Sequence, residues 1–479
     1  MVRSFSFSWA LLGALLLAAH VAQAQDRPNI VVVLCDDLGY GDLACYGHPR
    51  IKTPNLDQMA KEGIRLTDCY SAAPVCSPSR VGLLTGRSPN RAGVYDWIPA
   101  SNSGKGRGQV HMRKSEVTIA TLLKKAGYAT CQSGKWHCNA AFNSPKQPQP
   151  GDFGFDHWFA TQNNAAPSHA NPQNFVRNGQ RVGKIEGYSC QIVVDEAVNW
   201  LEGHLKKDAK QPFFMFLPFH EPHEPVASPK ELVEGYLKVA KKKEQAEYFA
   251  NVENVDKAVG KLLAALKRLG QDEKTLVIFT SDNGPETLRR YGGAGRSWGT
   301  PAPLRGMKLW TTDAGFRVAG IMRWPGKIRA GQVVDHPVSS LDFLPTFCQL
   351  AKTQPPADLK LDGAIFLPAL ENKPIVRPKP LFWCYFNAIN KRRVALRDGP
   401  WKLLASLNDA KLKKMPHLSV KNKQAVQSAT LTDFQLFLMT TDISEENDVK
   451  TLHPKELGEM KAKMEAAYKE MVETSHYWD

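Results

Sequence analysis

The sequence predicts an α/β protein: a large, mostly parallel sheet flanked by helices, joined to a smaller C-terminal α+β domain with an antiparallel sheet. Three observations carry this prediction. Apolar, β-branched runs alternate with segments of helical period, the pattern of a parallel sheet covered on both faces. Four of the apolar runs stop at polar residues of useful chemistry. Past residue 354, Pro-rich connectors give way to short strand-like runs and one long helical segment.

"NIVVVLCDD" (29–37) is a buried strand that stops at two acids. A helix is predicted over 54–62, with Pro54 at its start and Gly63 beyond its end. Another is predicted from Ser115 to about Ala126, stopped by Gly127. "YATCQSGKWH" (128–137) and "PFFMFLPFHEPHEP" (212–225) read as strands that end in Lys-Trp-His and in a His- and Pro-rich loop. Over 245–269, Phe249, Val252, Val255, Val259, Leu262, Leu263 and Leu266 recur at helical spacing and mark a core-facing stripe. "TLVIFTSDNG" (275–284) is a further buried strand. In the last portion, "PLFWCYFN", "RVALRDGPWKLLAS" and "FQLFLMTTDISEEND" read as antiparallel strands, and "HPKELGEMKAKMEAAYKEMVET" as a terminal helix. The expected organisation is a leader over 1–24, a large domain over 25–354 and a smaller one over 355–479.

The leader reads as a cleavable signal peptide: Arg3, an apolar run, then Ala22-Gln23-Ala24. No other stretch is long and apolar enough to span a membrane, so a secreted or periplasmic protein is expected. The net charge of +15 suits an anionic partner, and with no nucleic-acid motif an acidic polysaccharide is favoured over nucleic acid. Nine cysteines, scattered and odd in number, read mostly as small buried hydrophobes, with at least one reserved for another fate.

In an open α/β sheet the carboxyl ends of the parallel strands form the binding edge. Asp36, Asp37, Lys135, His137, His220, His223, Asp282 and Asn283 are therefore expected to converge. Asp36, Asp37, Asp282 and Asn283 offer only oxygen donors, a set suited to a hard cation, Ca²⁺ or Mg²⁺, and not to zinc. Cys76 lies just ahead of Pro78, which is placed to start a helix. There the helix N-terminus and Arg80 would lower a thiol pKa, and would equally hold an oxyanion or a sulfate. Lys135 and His137, two apart on an extended segment, can reach one anion. His220 or His223 could serve as a general acid. Lys308, in "LRGMKLW", taken alone, is a solvated lysine.

Together these segments resemble the formylglycine-dependent (type I) sulfatase family. "CSPSRVGLLTGR" (76–87) matches its signature, and "DDLGYGDLACYG", "TPNLDQMAKEG", "GKWH", "PHEP", "SDNG" and "LRGMK" stand around it in the family's order. The likeness spans about residues 28–350 and points to the arylsulfatase A and N-acetylgalactosamine-6-sulfatase branch, with an alkaline-phosphatase-like fold. It implies that a dedicated maturase oxidises Cys76 to Cα-formylglycine. One hydroxyl of the hydrated aldehyde would attack sulfur and expel the substrate alcohol; the other would then lose its proton and eliminate sulfate.

The resemblance implies further roles. Asp36, Asp37, Asp282 and Asn283 resemble the metal ligands, with residue 76 against the ion; Ca²⁺ is the usual ion and Mg²⁺ the second choice. Asp282 could also accept the nucleophile's proton. Arg80 resembles the residue that holds the hydrated aldehyde, Lys135 and Lys308 the sulfate clamps, His137 the histidine that assists elimination, and His223 the acid for the leaving oxygen. His220, Trp97, Asn163 and His169 are candidate substrate contacts for a sulfated saccharide. Here "GKWHCN" and "DAGFRVA" replace the family's commoner "GKWHLG" and "EGG-x-R-V-P", changes that touch loop geometry but no catalytic atom. Two other readings compete: a phosphatase or phosphonate hydrolase of the same superfamily, against which the intact Cys-x-Pro-Ser-Arg stands, and a non-catalytic sulfated-glycan binder, against which the full polar set stands.

Overall fold

An extended backbone sends successive side chains to opposite faces, and β1 (Asn29–Asp36) shows the consequence. Ile30, Val32 and Leu34 enter one hydrophobic core, and Val31, Val33 and Cys35 enter another on the far side of the sheet. Every residue of the strand is buried, which is why its sequence runs apolar without alternating. The computed structural model describes residues 27–409, 412 and 415–479; the expected leader at 1–24 lies outside the described residues.

Ten further strands complete the large sheet: β2 (Ile64–Tyr70), β3 (Ala129–Lys135), β4 (His157–Thr161), β5 (Val176–Arg177), β6 (Gln180–Arg181), β7 (Phe213–Pro222), β8 (Thr275–Ser281), β9 (Arg317–Arg323), β10 (Gln332–Val334) and β11 (Val338–Ser339). Their order is β10-β2-β9-β8-β1-β7-β3-β4-β5-β6, with β11 beside β2. The middle, from β8 to β4, is parallel; the pairings of β9 with β8 and β2, of β5 with β4 and of β6 with β5 are antiparallel. Phe214 and Phe216 share the first core with the helices Cys76–Thr85, Ile119–Lys125 and Phe343–Leu350. Phe213, Met215 and Leu217 share the second with Pro54–Glu62, Ser189–Lys207 and Lys243–Arg268.

Four boundaries differ from expectation. The helix expected from Ser115 starts at Ile119, because Thr118 stays extended and its hydroxyl accepts the Thr121 N–H at 3.1 Å as the cap. The strands expected to run through 137, 225 and 284 stop at Lys135, Pro222 and Ser281. Their last polar residues leave the ladder, which frees their side chains for the site.

The C-terminal sheet is β12 (Leu381–Cys384), β13 (Val394–Asp398), β14 (Trp401–Leu407) and β15 (Leu431–Leu438), all antiparallel. The helix Pro454–Thr474 packs Met460, Met464, Tyr468 and Met471 on it. Phe316, just ahead of β9, stacks on Trp383 of β12, ring centres 4.1 Å apart. Beside that stack lies a buried charge cluster. Lys402 of β14 sits 2.6 Å from Asp313 and 2.8 Å from Glu445, and Arg317 donates to Asp313 at 3.1 Å. All nine cysteines are free and all but Cys45 are buried. Among the described residues no helix is long and apolar enough to cross a membrane.

Candidate active site

β1, β3, β7 and β8 are neighbours in the parallel middle of the sheet, so their carboxyl ends open on one edge. Asp36 ends β1, Lys135 ends β3, His220 lies near the end of β7, and Asp282 and Asn283 follow β8. The helix Cys76–Thr85 brings Cys76 and Arg80 to the same place. Val75 caps it in extended conformation, and Gly86, left-handed at φ 64°, closes it with a bond to the Gly82 carbonyl at 2.8 Å. The loop that carries Lys308 is held by Lys308 N–H to Pro285 O at 2.9 Å and Leu309 N–H to Pro74 O at 2.8 Å. Gly284 lets this loop close on β8: a Cβ there would stand 1.7 Å from the Ala314 carbonyl.

Asp37, His137 and Leu309 have positive φ, at 64°, 55° and 69°. Such backbone is costly for residues with a Cβ and concentrates at functional sites. Here it falls at two of the expected site residues and beside a third, Lys308.

The charges interlock. Arg80 donates to Asp282 at 2.9 Å, to Asp36 at 3.1 Å and to the Lys135 carbonyl at 2.9 Å, fully buried. Lys135 pairs with Asp36 and reaches Asn164 at 3.3 Å. Lys308 lies 2.7 Å from Asp37, and the Asn283 amide donates to Asp37 at 2.7 Å. Burial alone would raise the Asp36 carboxyl, but Lys135, His223 and Arg80 together hold it well below the usual carboxylate range. Burial and then Asp36 push Asp282 up to about 7. Lys308 is raised well above its ordinary range; burial opposes this, and Asp37 is the leading cause that overcomes it.

The donor set tests the expected cation. Asp36, Asp37, Cys76 and His223 each present a ligand atom, all within 4.8 Å of one another. Asp36 Oδ1 and Asn283 Oδ1 are buried without any hydrogen-bond donor. Two orphaned oxygen acceptors beside crowded carboxylates fit a hard divalent cation. Asp282 is not among these four, and both its oxygens are engaged: Oδ2 takes Arg80, and Oδ1 takes the Asp37 N–H at 3.4 Å.

The expectation of an acidified thiol is overturned. Cys76 is 2% exposed, and burial, with Asp36 next, pushes its thiol up to about 12 against the smaller pull of Lys135 and Lys308. At neutral pH the unmodified residue is a protonated, shielded thiol and a poor nucleophile.

The histidines have defined tautomers, because a carbonyl can only accept. His223 Nδ1–H donates to Glu224 O at 2.6 Å, so Nε2 faces Asp37 Oδ2 at 3.5 Å. Burial, then Lys308, lowers His223 to about 3. His137 Nε2–H donates to Ile98 O at 3.0 Å, leaving Nδ1 buried and without a partner. Burial, then Lys135, keeps His137 neutral.

The four candidate substrate contacts do not behave alike. His220 is fully buried, and its Nε2 meets Thr161 Oγ1 at 2.8 Å. His169 is also fully buried, taking the Asn251 amide at 3.2 Å on Nδ1. Neither presents a side chain to solvent, and both sit in buried, hydrogen-bonded surroundings. Asn163 is half-buried in the loop after β4. Trp97 is 41% exposed, with the Arg107 guanidinium over its ring at 4.2 Å. Sequence reasoning missed Asn164, which supports Lys135, and Glu286, 3.8 Å from Lys308. Asn164 had a usable signal, since it follows a strand end; Glu286 had none beyond its place after "SDNGP".

A mostly parallel sheet that gathers carboxylates, an amide, two lysines and an arginine around a helix-borne residue is the architecture of the alkaline-phosphatase-like hydrolases. The comparisons narrow the class. The family model described as Sulfatase matches residues 28–353, and one described as N-sulphoglucosamine sulphohydrolase, C-terminal, matches 307–431. N-acetylgalactosamine-6-sulfatase of Rattus norvegicus is 34% identical over 409 residues, covering 81% of this chain and 74% of its own. Arylsulfatase A of Homo sapiens is 37% identical over 384 residues, covering 74% and 70%. The crystal structure of Ps i-CgsB in complex with k-i-k-neocarrahexaose superposes with a TM-score of 0.78 at 30% identity, covering 95% of each chain. The chain belongs to the sulfatase family and is a sulfuric ester hydrolase.

Proposed function

We propose that this sulfatase releases sulfate from a sulfated carbohydrate, using residue 76 after its oxidation by a maturase to Cα-formylglycine and a bound Ca²⁺. One observation carries the proposal: Cys76, shielded and unreactive as a thiol, stands at the head of its helix within 4.8 Å of Asp36, Asp37 and His223. A buried thiol in that company has little use unconverted. The relatives named N-acetylgalactosamine-6-sulfatase and the likeness to a structure holding a neocarrahexaose support a carbohydrate substrate.

Asp36, Asp37 and Asn283, with Asp282 turned toward them, would hold the cation, which when bound supplies a Lewis acid against a sulfate oxygen. Arg80 orients residue 76 and keeps Asp36 and Asp282 apart from each other's charge. Lys135 and Lys308 bind sulfate oxygens and stabilise the charge that develops there. His137, with a free Nδ1, takes a proton at residue 76 during sulfate release. His223 presents Nε2 to the leaving oxygen, and carries a proton there once the anionic sulfate of a substrate offsets Lys308. The N-terminal run supports export to the periplasm or beyond.

The test has two parts. The peptide Leu66–Arg80, from protein made with a maturase, is weighed and fragmented, because it holds both Cys69 and Cys76. Sulfate release is then followed on sulfated mono- and oligosaccharides. An aldehyde at 76 with release that Cys76→Ala abolishes is the expected result. Release at the wild-type rate by Cys76→Ala overturns the proposal.

A further inference from the structure

A groove of about 450 Å³ opens to solvent beside the site, within the size range of small-ligand pockets. Its walls are the loops after Ile98, after β3 and after β4, and the β5–β6 hairpin. Its wall residues connect it to the candidate catalytic groups. Gln162, on its wall, accepts the His137 N–H on its carbonyl at 2.7 Å. Its amide donates to Ile98 O at 3.4 Å, the same carbonyl that takes His137 Nε2–H. Asn174, also on the wall, donates to the carbonyl of Asn164 at 2.9 Å, and Asn164 supports Lys135.

The lining has a chemical bias. It holds one cation, four amide side chains, a serine and the Phe142 ring, and no acid. Among the described residues, Arg181 is exposed and meets no carboxylate, and the side chains of Asn102 and Asn143 have no protein hydrogen-bond partner. A second cavity, at Arg91, Lys379, Lys463, Asp362 and Glu470, differs in that each of its cations is paired with a carboxylate. Amide donors and acceptors, an aromatic face and one unneutralised guanidinium match a sugar ring bearing an anionic group.

We infer that this groove binds the neighbouring residues of a sulfated glycan chain, with Arg181 pairing a second sulfate or a carboxylate on that chain. The inference rests on the carbohydrate reading above, and makes the enzyme selective for oligosaccharides over isolated sulfated rings. The test compares kcat/KM on 4-nitrocatechol sulfate with kcat/KM on desalted chondroitin 6-sulfate and carrageenan hexasaccharides. The variants are Arg181→Ala, and Ala100→Trp, which fills the groove from an exposed position. For any hexasaccharide the wild type desulfates, each variant is expected to lower the hexasaccharide-to-aryl ratio tenfold or more, through KM. For Arg181→Ala the loss shrinks at high salt. An unchanged ratio in both variants overturns the groove while leaving the carbohydrate reading intact. A wild type that cleaves the aryl sulfate and no saccharide overturns both.

Discussion

Arg80 and Asp282, 202 residues apart in the chain, meet with two guanidinium nitrogens 2.9 and 2.7 Å from one carboxylate oxygen, wholly out of solvent. The arginine also spans to Asp36. One cation thus holds the ends of β1 and β8 in register with the helix that carries Cys76.

Replacing that fork should therefore cost more than charge. Arg80→Lys keeps a cation but loses the bidentate geometry; kcat is expected to fall by about 10²-fold or more, the scale of removing one preorganised electrostatic contact. Arg80→Ala strands two buried carboxylates, and the destabilisation expected is about 3–5 kcal/mol. Urea midpoints of the two variants and sulfate-release kinetics of Arg80→Lys check the pair. Equal, wild-type-like values would refute the assignment.

Cation removal is the second test. Chelation should abolish activity and lower Tm, and Ca²⁺ should restore both. At 100 times Kd the ion adds about 2.7 kcal/mol to the folded state. Asp37→Asn should raise the Ca²⁺ concentration needed for half-recovery. Full activity and an unmoved Tm after chelation, with the metal content measured, would exclude a resident ion.

Protein made without a maturase offers a third. With the thiol pushed up to about 12 by burial and Asp36, unconverted Cys76 should resist iodoacetamide at pH 8 in the folded protein and react once unfolded. Such protein should release no sulfate. Rapid alkylation of the native state, read on the Leu66–Arg80 peptide, would contradict the buried geometry.

The cluster between the two sheets gives a fourth. Burial pushes the Asp313 carboxyl up, but Lys402, Arg317 and Arg397 more than compensate and leave it at about 2. A carboxyl held below its ordinary value stabilises the fold above about pH 4, and that contribution fades as pH falls toward 2. Lys402→Met leaves Asp313 and Glu445 without their shared partner, and a loss of about 3–5 kcal/mol at pH 7 is expected. The wild-type-to-variant gap in urea midpoint should narrow below pH 4; a constant gap from pH 7 to 3 would refute it.

Much of this was legible in the amino-acid sequence. Unbroken apolar runs such as Ile30–Leu34 required a sheet buried on both faces, and the polar residues at their ends marked one edge as the site. The spacing of "CSPSR" placed Cys76 and Arg80 one helical turn apart. These are local consequences of period and residue type. What only the tertiary structure decided depends on distance across the chain. The thiol of Cys76 was expected to be acidified by its helix, yet desolvation and Asp36, neither visible in a linear string, raise it. His169 and His220 looked like polar loop residues and proved buried, His220 against the Phe175 ring and Thr161, His169 against Asn251 of the Lys243–Arg268 helix. The groove lined by Arg181 gathers three loops and a hairpin, and the Lys402–Asp313 pair joins residues 89 apart. Sequence settles what each segment must do with its own side chains; the fold sets which charges share a low-dielectric space, and that sets their chemistry.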